Sequence, residues 1–99
     1  MIDLLRRHFE WTEKTFGSGK RTMGITNHIR KELLEIEAQP NDLEEWIDVL
    51  LLAFDGARRT GATPEQILLG IEWKHKVVLN RVYPFPESED HPSEHIRGE

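Results

Sequence analysis

Two pairs of carboxylates stand at matched distances from a proline. In KELLEIEAQPNDLEEWIDVLLLAF, Glu32 and Glu35 lie eight and five residues before Pro40, and Glu45 and Asp48 lie five and eight after it. A spacing of three on a helix places both side chains on one face, about 4.5 Å apart along the axis. The short connection through Pro40 turns the two helices into an antiparallel hairpin. A hairpin symmetric about Pro40 sets Glu35 against Glu45 and Glu32 against Asp48. Four converging carboxylates raise one another's pKa, and a divalent cation relieves that conflict. Oxygen ligands without thiolates suit Mg²⁺, with Mn²⁺ as a substitute, and such ions fill their shells with waters and substrate phosphates. The bland reading is a charged chain in which glutamates face solvent and Asp48 is a buried, hydrogen-bonded structural residue. Asp48 weighs against it, because WIDVLLLAF predicts a helix buried on most sides, where an ionised carboxylate needs a partner.

Other residues offer accessory chemistry, each with a plainer alternative. TFGSGKRT resembles a phosphate loop only superficially, since the Walker pattern requires glycine at position 14 and a hydroxyl after the lysine. Lys14 and Arg21 stand there instead. The glycines predict a mobile connection near the acidic hairpin, from which Lys20 and Arg21 either reach a triphosphate or face solvent. His28 precedes Glu32 by one turn, so it either assists the site or is an ordinary surface residue. Asp55 shares the Asp48 face and either supports the site or closes the helix at the surface. Lys74, Lys76 and Arg81, near the end of the last helix, either bind phosphate or complement the helix dipole. Glu37 and Glu44 read as solvated or capping residues, and His91 and His95 carry no metal-ligand spacing. Trp11, Phe16, Trp46 and Trp73 read as core or interface aromatics, with Phe16 also placed to touch a base.

Four helices must position these groups. The first spans Ile2 to Phe16, with Leu5, Phe9 and Trp11/Thr12 at helical spacing. The second runs from about Thr26 to Ala38 on a stripe of Ile29, Leu33 and Ile36. Asn41 and Glu44 form a capping box for the third, which continues to about Arg59. Thr63, Pro64 and Gln66 repeat that signature for a fourth, ending near Val82. Nothing alternates with period two, so the expected class is all-α: one domain over 1–83 and an irregular polar tail over 84–99. So few helical residues make a thin core, which predicts an oligomeric bundle, a dimer or tetramer.

Composition narrows the classes. The 99 residues include no cysteine and carry a net charge of -5, which removes thiol chemistry and argues against a stable nucleic-acid partner. No apolar run is long enough for a membrane span, and MIDLLRRHFE lacks the features of a signal peptide, so the expected location is cytoplasmic, in a host cell if phage-encoded.

The ExxE and ExxD pairs, in this order and separation, resemble the metal motif of the MazG-like all-α nucleoside triphosphate pyrophosphohydrolases. The surrounding stretch from Thr15 to Ile67 is similar to the dATP/dGTP diphosphohydrolases of phages and bacteria, including the MazZ-type enzymes. KVVLNRVYP resembles that family's terminal helix, although Asn80 and Arg81 are adjacent here where many relatives separate them. The resemblance covers roughly residues 9–84. It implies that Glu32, Glu35, Glu45 and Asp48 hold magnesium, and that Lys76, Asn80 and Arg81 contact triphosphate or sugar. The reaction implied is a purine dNTP, dGTP or dATP, plus water giving dNMP and pyrophosphate. One glutamate, with Glu35 as the candidate, would orient or deprotonate the water. The competing class is a non-catalytic helical adaptor or nucleotide sensor that keeps the metal site.

Overall fold

The computed structural model describes residues 1–86, Pro92 and Glu94. It contains four helices, α1 (Ile2–Phe16), α2 (Thr22–Ala38), α3 (Leu43–Arg58) and α4 (Pro64–Leu79), and no strand among the described residues. The all-α expectation holds. Most of the expected irregular tail, with His91 and His95, lies outside the described residues. The chain forms two compact units, Met1–Ile67 and Leu68–Glu99, and the acidic hairpin belongs wholly to the first.

In the first unit, α2 and α3 form the main pair and α1 leans on α3. The pair is antiparallel. Ile25, at the start of α2, lies beside Gly56 near the end of α3, where an added Cβ would sit 3.8 Å from the Ile25 Cγ2. The connection between them is tied twice: the Asp42 N–H donates to the Gln39 carbonyl at 3.1 Å, and the Trp46 indole N–H donates to the Pro40 carbonyl at 3.0 Å.

Several boundaries differ from the sequence expectation for identifiable reasons. α2 begins at Thr22, a turn before Thr26, and takes Gly24 into its interior. The cost of such a glycine, about 1 kcal/mol, is offset because the extra turn carries Ile25 into the core. α3 is capped by Asp42 rather than Asn41, the Asp42 carboxylate accepting the Glu44 N–H at 3.0 Å. The Gln39–Asp42 turn delays the helix by one residue. The box at Thr63 is as expected: the Thr63 N–H donates to Gln66 Oε1 at 2.9 Å, and the Gln66 N–H to Thr63 Oγ1 at 3.1 Å.

The core is thin. Leu5, Phe9, Ile25 and Ile36 are its buried apolar residues, joined by Thr12, whose hydroxyl donates to the Phe9 carbonyl. The expected α2 stripe is therefore rotated: Ile25, Glu32 and Ile36 point inward, while Leu33 is exposed. The expectation that α3 is buried on most sides also fails for the single chain. Trp46, Ile47, Leu50 and Leu51 are exposed, and the buried residues of α3 are Asp55 and Arg58. A unit of this size has too little apolar surface to cover both sides of such a helix.

In the second unit, α4 exposes Leu69, Ile71, Trp73 and Leu79. Its last turn tightens, with the Asn80 and Arg81 N–H groups donating to the Val77 and Val78 carbonyls, and the helix stops three residues short of Val82.

Candidate active site at the acidic hairpin

The α2–α3 hairpin brings three glutamates together. Glu32, Glu35 and Glu45 each offer a carboxylate oxygen within 4.8 Å of the others. Glu32 is buried, Glu45 half-buried and Glu35 exposed. The Glu32 Oε2 and Glu45 Oε2 are sequestered from solvent and receive no hydrogen bond. A buried ionised oxygen without a donor is costly, so the arrangement calls for a cation or a proton.

The electrostatics say the same. Hydrogen bonding with Glu35, then burial, then the Glu35 charge push the Glu45 carboxyl up to about 7. Glu32 is raised as well, first by Glu35, then by burial. Glu35 is lowered because it accepts from Glu32 and Glu45. Three carboxyls that compete for one proton would release it to a divalent ion, whose charge favours all three ionised forms. The donor set is all oxygen, which suits a hard divalent cation.

Asp48 stands differently from its expected place. It is exposed rather than buried, and it lies outside the mutually close trio. Its charge nevertheless raises Glu32, and both residues line one cleft of about 280 Å³. The hairpin is thus not symmetric about Pro40: Glu45 meets both α2 glutamates, and Asp48 stands on the cleft side. His28 shares the cleft, its Nε2 lying 3.3 Å from Glu32 Oε1.

Aromatic and apolar residues line the same cleft, Trp11 and Phe16 from α1 and, on the α3 face that carries Asp48, Leu51 and Leu52. The rings form a ladder. His8 stacks on Trp11 at 5.9 Å, and Trp11 meets Phe16 edge-on at 5.6 Å. The Arg21 guanidinium lies over the Phe16 ring, 5.8 Å from its centroid. A cleft lined by both carboxylates and flat apolar surfaces fits a ligand that joins a metal-seeking group to a ring. A larger cavity, of about 580 Å³, lies along α1 and the start of α4. Its arginines are already paired, Arg6 with Glu65 at 2.7 Å and Arg58 and Arg59 with Asp55.

Comparison with known proteins identifies the family. A family model for dATP/dGTP pyrophosphohydrolase matches residues 4–99. The chain belongs to that family. It is also 38% identical over 93 residues to the Eaa protein of Salmonella phage P22, covering 93% of this chain and 28% of the relative. The chain thus spans less than a third of the length of the curated relative that it matches. No solved structure matches it.

For a dATP/dGTP pyrophosphohydrolase family member, the remaining candidates fall into two groups. Lys20 and Arg21 sit in the loop between α1 and α2, Lys20 exposed and Arg21 against Phe16. Lys76, Asn80 and Arg81 belong to the second unit. There the Asn80 side-chain amide donates to the Lys76 carbonyl at 2.9 Å, which leaves its oxygen free of that bond. No helix among the described residues is long and apolar enough to cross a membrane.

Sequence reasoning missed Arg58 and Arg59. Asp55 does not face the acidic trio as a further ligand, because both its oxygens are taken. Arg58 donates to Oδ1 through Nε and Nη2 at 3.0 and 2.7 Å, and Arg59 donates to Oδ2 at 3.3 Å. Burial pushes the Asp55 carboxyl up, but the hydrogen bonds from Arg58 and Arg59 outweigh it and hold the carboxyl below its usual value. The glycine loop, expected to be a mobile connection, is gripped by the same arginines at the Phe16, Gly17 and Gly19 carbonyls. The signal available in sequence was the pair of arginines three and four residues after Asp55.

Proposed function

We propose that this chain is a magnesium-dependent nucleotide pyrophosphohydrolase that converts a purine dNTP, dGTP or dATP, to dNMP and pyrophosphate. The observation that carries the reading is the trio Glu32, Glu35 and Glu45, with two buried carboxylate oxygens lacking donors, in a member of the dATP/dGTP pyrophosphohydrolase family.

Glu32 and Glu45 would hold the cation through their unsatisfied oxygens, with Asp48 joining from the cleft side. A divalent ion there supplies neutralisation of phosphate charge and a lower pKa for water. Glu35, the exposed member, orients the attacking water and accepts its proton. The aromatic wall of Trp11 and Phe16 receives the base, and His28, 3.3 Å from Glu32 Oε1, pairs with that carboxylate when protonated. Lys20 and Arg21 steer the triphosphate from the loop. Lys76, Asn80 and Arg81 are assigned to phosphate and sugar by family resemblance. The exposed apolar residues of α3 support a homo-oligomer, and such an enzyme would work where dNTP pools are found, in the cytoplasm.

The test is a panel of single nucleotides with Mg²⁺, resolving pyrophosphate from orthophosphate. Pyrophosphate and a monophosphate from dGTP or dATP are expected. Orthophosphate as the first product would point to a phosphatase. No turnover of any nucleotide, with metal still bound, would leave a non-catalytic adaptor or sensor.

A further inference from the structure

We infer that Asp55, Arg58 and Arg59 act as a positioning unit that sets the aromatic wall of the cleft by fixing the backbone of the loop after α1. The inference rests on the nucleotide reading above and names residues to which that reading gives no role.

The geometry is that of a two-pronged clamp. Asp55 is buried near the end of α3 and lines the cleft. Its carboxylate aims two guanidinium groups in the same direction. The Arg58 Nη2, donating to Asp55, also donates to the Gly17 carbonyl at 3.0 Å. Arg59 reaches further, with Nη1 donating to the Gly19 carbonyl at 2.7 Å and Nη2 to the Phe16 carbonyl at 3.2 Å. Three carbonyls within four residues are therefore fixed by two side chains some forty positions away in sequence. Gly17 and Gly19 adopt φ of 75° and 97°, a region open to glycine at little cost, which lets the loop turn its carbonyls toward the arginines.

What this fixes is the end of α1. Phe16 is the last residue of that helix, and its own carbonyl is one of the three gripped. Its ring bounds the cleft, meets Trp11 edge-on and supports the Arg21 guanidinium. A shift of the loop would move Phe16 and Arg21 together and change the width of the slot for a flat ring. The acidic trio, on α2 and the start of α3, makes no hydrogen bond with the clamp and keeps its geometry. The clamp should therefore act on ligand binding and leave the metal-dependent step alone.

Guanidinium groups are required, because Arg59 reaches Asp55, Gly19 and Phe16 through three separate nitrogens, whereas the three donors of an ammonium radiate from a single one. The experiment compares wild type with Arg59→Ala, Arg59→Lys and Phe16→Ala by steady-state kinetics with dGTP and dATP at saturating Mg²⁺. Amide hydrogen exchange over residues 16–21 is followed on the same proteins. Both Arg59 variants should raise KM roughly tenfold with kcat within about twofold, and exchange should rise in that loop while α2 stays protected. Arg59→Ala combined with Phe16→Ala should be no worse than Phe16→Ala alone. A loosened loop with unchanged KM would overturn the inference, as would a fall in kcat at constant KM or full rescue by Arg59→Lys. If wild type turns over neither nucleotide, the functional reading fails separately. The loop is then judged by exchange alone, and unaltered protection in the Arg59 variants would overturn its being held by the clamp.

Discussion

The two ends of α3 carry carboxylates in opposite electrostatic condition. At the N-terminal end, Glu45 meets Glu32 and Glu35, with the His28 imidazole 3.3 Å from Glu32 Oε1, and two buried oxygens lack donors. At the C-terminal end, Asp55 is equally sequestered but receives three N–H bonds from two guanidinium groups. One cluster is closed within the protein. The other leaves two carboxylate oxygens without a donor. A buried carboxylate alone therefore says little about function; the test is whether the chain supplies its counter-charge.

That contrast is open to direct attack. The largest effect expected is from Glu45→Gln, which should lower pyrophosphate release on the order of 100-fold or more, since the proposed function has a Glu45 oxygen hold the cation. The cation-free variant should melt no lower than wild type, because the substitution removes a repulsion. A lower melting temperature would show that Glu45 is structural after all. Asp55→Asn should do the reverse: it leaves two buried guanidiniums short of a partner and should cost about 3 kcal/mol of stability, read from urea unfolding. Metal affinity, measured calorimetrically on the folded protein, should stay near the wild-type value. A variant of unchanged stability would erase the distinction.

The pH profile should separate the two ends again, with a smaller effect. Glu45, raised to about 7 from an ordinary value near 4.5, binds its proton more tightly when folded. Its contribution is full below about pH 4.5 and is lost as pH rises through 7. Asp55 is lowered, so its contribution is present above the ordinary value near 3.8 and is lost as pH falls through the folded value. Cation-free protein should thus melt higher at pH 5.5 than at pH 8.5. Saturating Mg²⁺ should abolish that difference, and Glu45→Gln should shrink it, leaving the part due to Glu32, which Glu35 still raises. An undiminished difference in Glu45→Gln would assign the effect elsewhere. The smallest effect expected comes from a site in neither cluster. Thr63→Ala removes one half of the α4 capping box and should cost about 1 kcal/mol, with metal affinity and loop exchange unaltered.

The acidic end was legible in the sequence and the clamp was not, for a physical reason. Glu32 and Glu35 are neighbours on one helix, and Pro40 forces the next helix back upon them, so spacing alone brings Glu45 close. The Thr63 and Gln66 box is local in the same way. The rotated α2 stripe was harder to read. Whether Leu33 or Glu32 points inward depends on where Ile25 lands against Gly56, a contact between distant segments. The exposure of Asp48 and of the α3 apolar residues follows from how little chain is available to cover them. Arg58 and Gly17 are forty-one positions apart, and the acceptor is a carbonyl that every residue type possesses. No residue pattern encodes such a partner.

A grip on main-chain atoms leaves the loop's side chains open to change. Arg58 and Arg59 hold main-chain oxygens, so the side chains at Ser18 and Lys20 do not enter the grip. Their identities can drift, or be randomised in a library, while the loop keeps its path beside the cleft. Variation in ligand preference among close homologues should accumulate at those two positions, whereas Asp55 and the two arginines should change only together.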